Sequence, residues 1–373
     1  MDTSWIWIVG GALLVLICVV DLLNTMVIRS TSPSLAWPTN FLMRTHWPVW
    51  RAIGLREPND RRREKILGLF PSLVIFSLTP FWIGGQVVGW ACIWTGLHSH
   101  SGLSGAFGDL FYFSGSVLFT IGFGDIVPDG TALRVLVIVE AFLGVGTFAI
   151  VISYLPTFLQ YQVSRDIQLP LLDPNAERGD QLAAMLDRYC RNGDLDRLDD
   201  YFEGWITWMA SIDLSHAALP LLAFHRFKRR DEFWLTTLGT VADAATILLA
   251  CIPESEGRGP RFVHDNAAST LEDVRERLGL SKYDGGRELS VIPFRIVYDV
   301  LEAGSGFELR PFGDAWDKMC RMRPAYGANY DALSDYLCAP AGVWPRRTEK
   351  ELKAEKHRTG TAGDTFERDP TDG

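Results

Sequence analysis

Three apolar stretches in the first 160 of 373 residues constrain this chain more than any other feature. A bilayer core about 30 Å thick takes roughly 20 apolar residues per helix. Trp5 to Ile28, Ile66 to Trp94 and Ala132 to Leu159 all meet that length. Pro71 and Pro80 fall in the second stretch, where they would kink or shorten a helix. The first lacks a basic leading segment and is too long for a cleaved signal peptide. Residues 1–30 therefore read as a membrane helix, 31–65 as a basic linker and 66–160 as two further spans with a loop between them. Residues 161–345 read as a mainly helical soluble domain, and the polar, charged stretch 346–373 as a tail without structure.

Charge sets the orientation. The segment from Arg29 to Lys65 holds eight Lys and Arg against three acids, including Arg61, Arg62 and Arg63. The positive-inside rule places it in the cytoplasm, so the N-terminus lies outside and the C-terminal domain is cytoplasmic. Trp5 and Trp7, and Trp90 and Trp94, suit the outer interface. Leu35 to Leu55 mixes aromatics with sparse positive charge. It fits a segment along the inner leaflet and equally a loop packed on the cytoplasmic domain. No span carries a regular array of Arg or Lys, so there is no voltage-sensing helix. His98 and His100 fall in the external loop, where histidines without a specific role are common.

Two acids interrupt the spans. Asp21, with Asn24 one turn on, sits near the cytoplasmic end of the first and is placed to reach headgroups or Arg29. Glu140 lies mid-span in the third, where an acid is costly unless paired or wetted. It makes a hydrogen bond behind the neighbouring loop, places charge near a cavity, or forms a protonated structural contact to a neighbouring helix.

That loop contains Thr120-Ile121-Gly122-Phe123-Gly124-Asp125. Glycines at alternate positions permit left-handed backbone angles that side chains disfavour. Four copies of such a loop would line an axis with carbonyl oxygens able to replace the hydration shell of an ion. The hexapeptide, with the apolar segments on either side, resembles the pore of prokaryotic potassium channels, whose signature is usually TVGYGD. The likeness runs from about Gly108 to Leu159. It implies an all-α membrane protein, with three membrane helices and a re-entrant pore helix per subunit, joined to a helical cytoplasmic domain.

The resemblance also implies roles. Asp109 to Phe119 would be the pore helix, its C-terminal dipole end aimed at the cavity, with Tyr112 and Phe113 bracing the filter. Thr120, Ile121, Gly122, Phe123 and Gly124 would coordinate K+, and Asp125, Tyr112 and Glu140 would anchor the filter. Gly144, 20 residues after Gly124, and Gly146 would form the gating hinge. Pro156 would end or kink the inner helix at the cytoplasmic mouth. The assembly would be a homotetramer in the cell (inner) membrane, needing no cofactor beyond K+ as the permeant ion. Phe123 lacks the hydroxyl that many relatives use to hold the filter, and Phe119 replaces a frequent second threonine. A non-selective cation channel is the alternative that these departures raise.

The second half offers no readable ligand site. Gln181 to Tyr189 and Leu195 to Trp208 show helical spacing. Asn192 to Asp200 is acidic, but its glycine and acids are out of place for an EF-hand, so it reads as a helix start. Phe233 to Ile252 is long enough to span, yet Asp243 at its centre costs about 3 kcal/mol on insertion scales. It reads as a buried helix. Arg226, Lys228, Arg229 and Arg230 form a basic helix end, and His216 and His225 read as core or surface histidines. GxGxxG after a strand, Walker A, HExxH and GxSxG are all missing, so an enzyme is not indicated. The effector of this domain is unreadable. A membrane-anchored sensor with this domain as its active module is the second alternative. The net charge of −9 argues against nucleic acid, and six scattered cysteines suit free thiols.

Overall fold

A computed structural model describes residues 4–26, 37–98, 106–166, 186, 190, 195–226, 233–281, 289–304 and 306–340. Arg29, His100, Asn192 to Asp194, residues 228–230, most of 181–189 and the tail 346–373 lie outside these. Among the described residues all regular structure is helical. In a bilayer this follows from the backbone, because a helix satisfies its own N–H and C=O groups where no water can.

Helix α1 (Ser4–Met26) runs antiparallel along α4 (Phe70–Gly96) of the same chain. Small residues allow the close approach. A Cβ on Gly11 would overlap the Gly89 carbonyl, one on Gly85 would meet Cys18 Sγ at 2.5 Å, and one on Gly96 would meet the Ser4 carbonyl at its far end. Such stripes are how membrane helices gain dispersion energy when lipid offers no hydrophobic contrast. Between them in sequence, α2 (Trp37–Arg56) and α3 (Asp60–Gly68) occupy the linker. The second span is thus not one kinked stretch from Ile66. A break at Leu69 separates α3 from α4, and Pro71 sits in the first turn of α4, where its missing N–H costs nothing. Pro80 remains inside the helix.

The loop-bearing part follows. Helix α5 (Phe107–Leu118) is short, and α6 (Thr131–Asp166) is the long third span. Pro156 does not end α6, which continues ten residues beyond it to Asp166.

The remaining helices enclose a second core. They are α7 (Leu195–Ala218), α8 (Trp234–Cys251), α9 (Gly259–Arg277), α10 (Val291–Gly304), α11 (Phe312–Met322) and α12 (Pro324–Leu337). The acids at the start of α7 do more than face their own helix dipole. Asp199 accepts from Gly259 N (2.8 Å) and Arg258 (2.9 Å), capping α9. Helix α8 is long and apolar enough to cross a membrane, yet 94% of its apolar window is enclosed by protein, chiefly α9, α11 and α12. No lipid face is left. Asp243 inside it accepts from Tyr326 Oη (2.6 Å) and Arg323 Nε (3.3 Å). Burial is the largest influence and works against the Arg323 cation, but Asp243 together with Tyr326, Asp331 and Tyr330 outweighs it and raises its pKa. Asp243→Ala should destabilise this domain by about 3–5 kcal/mol, because it leaves a buried cation unpaired. Thermal unfolding of the purified protein would show the loss. A change under 1 kcal/mol would mean the pair contributes little.

The two cores meet around four rings. Trp47 of α2 packs within 4.7–6.0 Å, centroid to centroid, of Phe224, Phe70 and Tyr336. Its Nε1 donates to the Tyr336 carbonyl (3.1 Å). Beside them Arg226 is buried. It donates to the Leu337 and Cys338 carbonyls and lies 3.4 Å from Glu64. Of the basic cluster read from the sequence, this member is interior rather than solvated. Further along, Gln162 of α6 touches His225, giving the inner span its own contact with the domain.

Candidate functional site

The hexapeptide begins where α5 runs out of helix. Asp109 lies in the first turn of α5, its Oδ2 accepting from Ala106 N (2.8 Å). At the other end Phe119 N and Thr120 N still donate to Gly115 and Val117 carbonyls, and Ile121 N turns back to the Ser116 carbonyl at 2.8 Å. The chain then alternates. Thr120, Gly122 and Gly124 have φ of +56°, +61° and +76°, whereas Ile121 and Phe123 stay at negative φ. Glycine takes this region freely. A β-branched threonine does not, so Thr120 is strained.

The two aromatics of α5 divide their work. Tyr112 faces the loop: its ring lies parallel to Phe123 (9° between planes, centroids 6.2 Å apart), and its hydroxyl donates to Asp125 Oδ2 at 3.0 Å. Asp125 also accepts from Ile126 N through Oδ1 (3.1 Å). Phe113 points the other way and meets Trp94 of α4 edge-on at 5.5 Å. Phe119 touches Phe148 of α6.

Glu140 is fully buried behind α5. It accepts from Trp94 Nε1 (2.8 Å) and Ser114 Oγ (2.5 Å), joining α4, α5 and α6 through one carboxylate. It touches the helix that presents the loop rather than the loop itself, and it adds no charge to an open cavity. Trp94 and Trp90 are accordingly interior, not at an outer interface. Asp21 behaves alike. It is 1% exposed and accepts from Trp82 Nε1 and Thr39 Oγ1, both at 2.8 Å, so it reaches no headgroup. A third link, Gln86 Nε2 to Thr147 Oγ1 (2.8 Å), joins α4 to α6. Ser114, Gln86 and Thr147 were not singled out from the sequence, and Trp94 was read only as an interface residue. A signal existed: donors at 82, 86, 90 and 94 recur every four residues along one apolar helix.

Gly144 and Gly146 differ in setting. A Cβ on Gly144 would overlap the Leu118 carbonyl, so this glycine lets α6 cross the end of α5 in contact. Gly146 has open space around its Cα. On the loop, Ile121 and Phe123 are exposed. So is a continuous apolar face of α6 through Ile138, Phe142, Val145 and Ile152. Backbone oxygens in a strained, alternating loop beside an uncovered apolar helix can serve as a ligand row for a bare cation.

Residues 77–161 match the family model of ion channels. The ion-channel stretch takes in most of α4, all of α5 and the 119–125 loop, and α6 as far as Tyr161. The chain is also similar to the uncharacterized membrane protein YdjJ of Bacillus subtilis (strain 168), at 23% identity over 230 residues. That alignment takes in 58% of this chain and 66% of the relative, just under two thirds of the latter's length. No solved structure matches the chain. The protein is thus an all-α membrane protein with an ion-channel domain and several helices able to span.

Proposed function

We propose that the chain is one subunit of a homotetrameric potassium-selective channel of the cell (inner) membrane. The carrying observation is the alternation of left-handed and ordinary backbone at Thr120 to Gly124. A chain of one hand only would turn its carbonyls successively around a helix. Alternation brings them to one side, where four symmetric copies would form stacked oxygen rings for K+ at Thr120, Ile121, Gly122 and Phe123. One chain contributes one wall, which accounts for the uncovered loop and α6 face.

In this reading Tyr112 substitutes for a filter hydroxyl. Phe123 cannot bond to the pore helix, but Tyr112 stacks on it and holds Asp125, bracing the outer end of the loop from behind. Gly146 supplies freedom to α6 and Gly144 keeps it seated on α5, so the pair form the gating hinge. The cytoplasmic domain, reaching α6 through Gln162 and α4 through the Trp47 cluster, sets the gate in response to an effector of its own. The N-terminus lies outside and the domain in the cytoplasm, as the charge of 29–65 requires.

The test is potassium against sodium flux through the purified full-length protein in liposomes. Potassium flux well above sodium flux is expected. Equal fluxes would replace this reading with the non-selective one. Tyr112→Phe keeps the ring and loses the bond to Asp125. With one net hydrogen bond worth roughly 1–1.5 kcal/mol, selectivity should fall up to about tenfold. Unchanged selectivity in that variant would remove Tyr112 from the filter's support.

A further inference from the structure

Helix α2 is tied at its start to the span α1 and at its end to α3, directly ahead of the span α4. At its start Thr39 donates to Asp21 through Oγ1 (2.8 Å) and N (3.4 Å), near the last turn of α1. At its end Trp50 Nε1 donates to the Ile66 carbonyl (2.7 Å), and a Cβ on Gly54 would lie 2.5 Å from Leu67, just before α4. Because α1 and α4 are antiparallel, these anchor points belong to the same side of the bilayer. Helix α2 is therefore held at the level where the spans leave the hydrocarbon.

Its two faces differ. One is buried on the cytoplasmic domain: Trp47 lies among Phe70, Phe224 and Tyr336, and Arg51 donates to the Asp335 carbonyl (3.1 Å) and Cys338 Sγ (3.2 Å). Among the described residues the other is largely exposed. Phe41 (57% exposed), Val49 (61%) and Ile53 (43%) recur at multiples of four, with exposed Thr45, Pro48 and Ala52 between them. The helix contains no Asp or Glu and three Arg, of which Arg56 is exposed at its last turn.

We infer that this outer face of α2 rests in the anionic cytoplasmic leaflet, with Phe41, Val49 and Ile53 among the upper acyl carbons and Arg56 at the phosphates. An apolar stripe with basic residues and no acid suits that boundary. The tethers fix it there, whereas a protein partner would have to displace the bilayer edge to reach it. Through Trp47 and Arg51 the same helix grips the last turn of α12, so leaflet composition biases the cytoplasmic domain. That second part rests on the channel reading; the seating does not.

The experiment attaches a nitroxide at Val49→Cys in full-length protein carrying Cys320→Ser, which removes the exposed thiol. A matched label at Phe262→Cys, on the exposed side of α9, is the control. Vesicles are pure phosphatidylcholine, or the same with phosphatidylglycerol added. Expected is high oxygen and low nickel-chelate collision at 49, more pronounced with phosphatidylglycerol, and ready chelate access at 262. Chelate access at 49 equal to that at 262 would overturn the seating. So would a spectral change produced by dissolved glycerol phosphate without anionic lipid. Potassium flux supplies the second arm. Arg56→Gln should raise the phosphatidylglycerol needed for half-maximal flux about fivefold, the equivalent of about 1 kcal/mol per basic residue at the surface. Flux independent of phosphatidylglycerol, with the label in lipid, would overturn the bias while leaving the seating. Absence of flux in every lipid would count against the channel reading, and the collision data would still decide where α2 lies.

Discussion

Gly122→Ala should abolish potassium flux in liposomes while leaving the subunit folded and assembled. Gly122 holds φ at +61°, and no atom lies within 4 Å of where a Cβ would sit. The penalty is therefore conformational and not a clash. It is roughly 1–2 kcal/mol per residue, paid four times in a tetramer. The cheapest relief is to rotate the peptide unit back to negative φ, which turns carbonyls away from the shared side. Conduction collapses through lost oxygen rings, and the loss should exceed a hundredfold. Thr120 is the informative partner. At φ +56° it is held in a region that a threonine avoids, a strain of order 1–3 kcal/mol. Thr120→Gly should thus raise thermal stability slightly while lowering the ratio of potassium to sodium flux, since the side-chain oxygen is gone. Full flux in Gly122→Ala would remove the loop from the conduction path.

Glu140→Ala should disrupt the pore region more than any change on the surface of the spans. It strips the acceptor from Trp94 Nε1 and Ser114 Oγ at once, in a site that no water reaches. The orphaned Trp94 Nε1 costs about 1–3 kcal/mol, and Ser114 Oγ, left with only the Val87 carbonyl, loses its link to α6. Because Ser114 sits mid-way along α5, the pore helix loses its tie to α4 and α6 together. Lower thermal stability in detergent and loss of flux are expected. Glu140→Gln should restore much of both. Its amide oxygen can accept from Trp94 and its NH2 can donate to Ser114 Oγ, whose own proton still reaches the Val87 carbonyl at 3.1 Å. If Gln and Ala behave alike, the carboxylate charge matters and the hydrogen-bond argument fails. If both behave like wild type, the triple junction is incidental.

The loop was legible because its chemistry is local. Alternating glycines, a preceding short aromatic helix and a following apolar helix sit within about 50 consecutive residues, and the backbone angles at Gly122 and Gly124 are properties of glycine itself. The spans were legible for a similar reason, since hydropathy over one helix needs no knowledge of its neighbours. Rejecting α8 as a span rested on Asp243 and on the weakly apolar Ala, Thr and Gly around it, although the partners of Asp243, Arg323 and Tyr326, lie 80 or more positions away. The failures have a common form. Asp21, Trp90 and Trp94 were assigned to the membrane interface by type, yet all three are buried, and Asp21 and Trp94 bond to other helices. An indole or carboxylate near a span end is as well satisfied by a buried partner as by headgroups, and nothing local separates the two.

The sequence by itself determined the apolar spans and the loop between them, because each depends on short stretches and on properties summed along the chain. Only the tertiary structure decided what those spans do to one another. It paired Asp21 with Trp82 and Thr39, and Glu140 with Trp94 and Ser114. It set α1 against α4 through Gly11 and Gly89, and it folded α2 back onto the C-terminal helical domain through Trp47. Those outcomes depend on contacts between residues tens to hundreds of positions apart, which are specified by shape complementarity and by polar groups needing partners away from water.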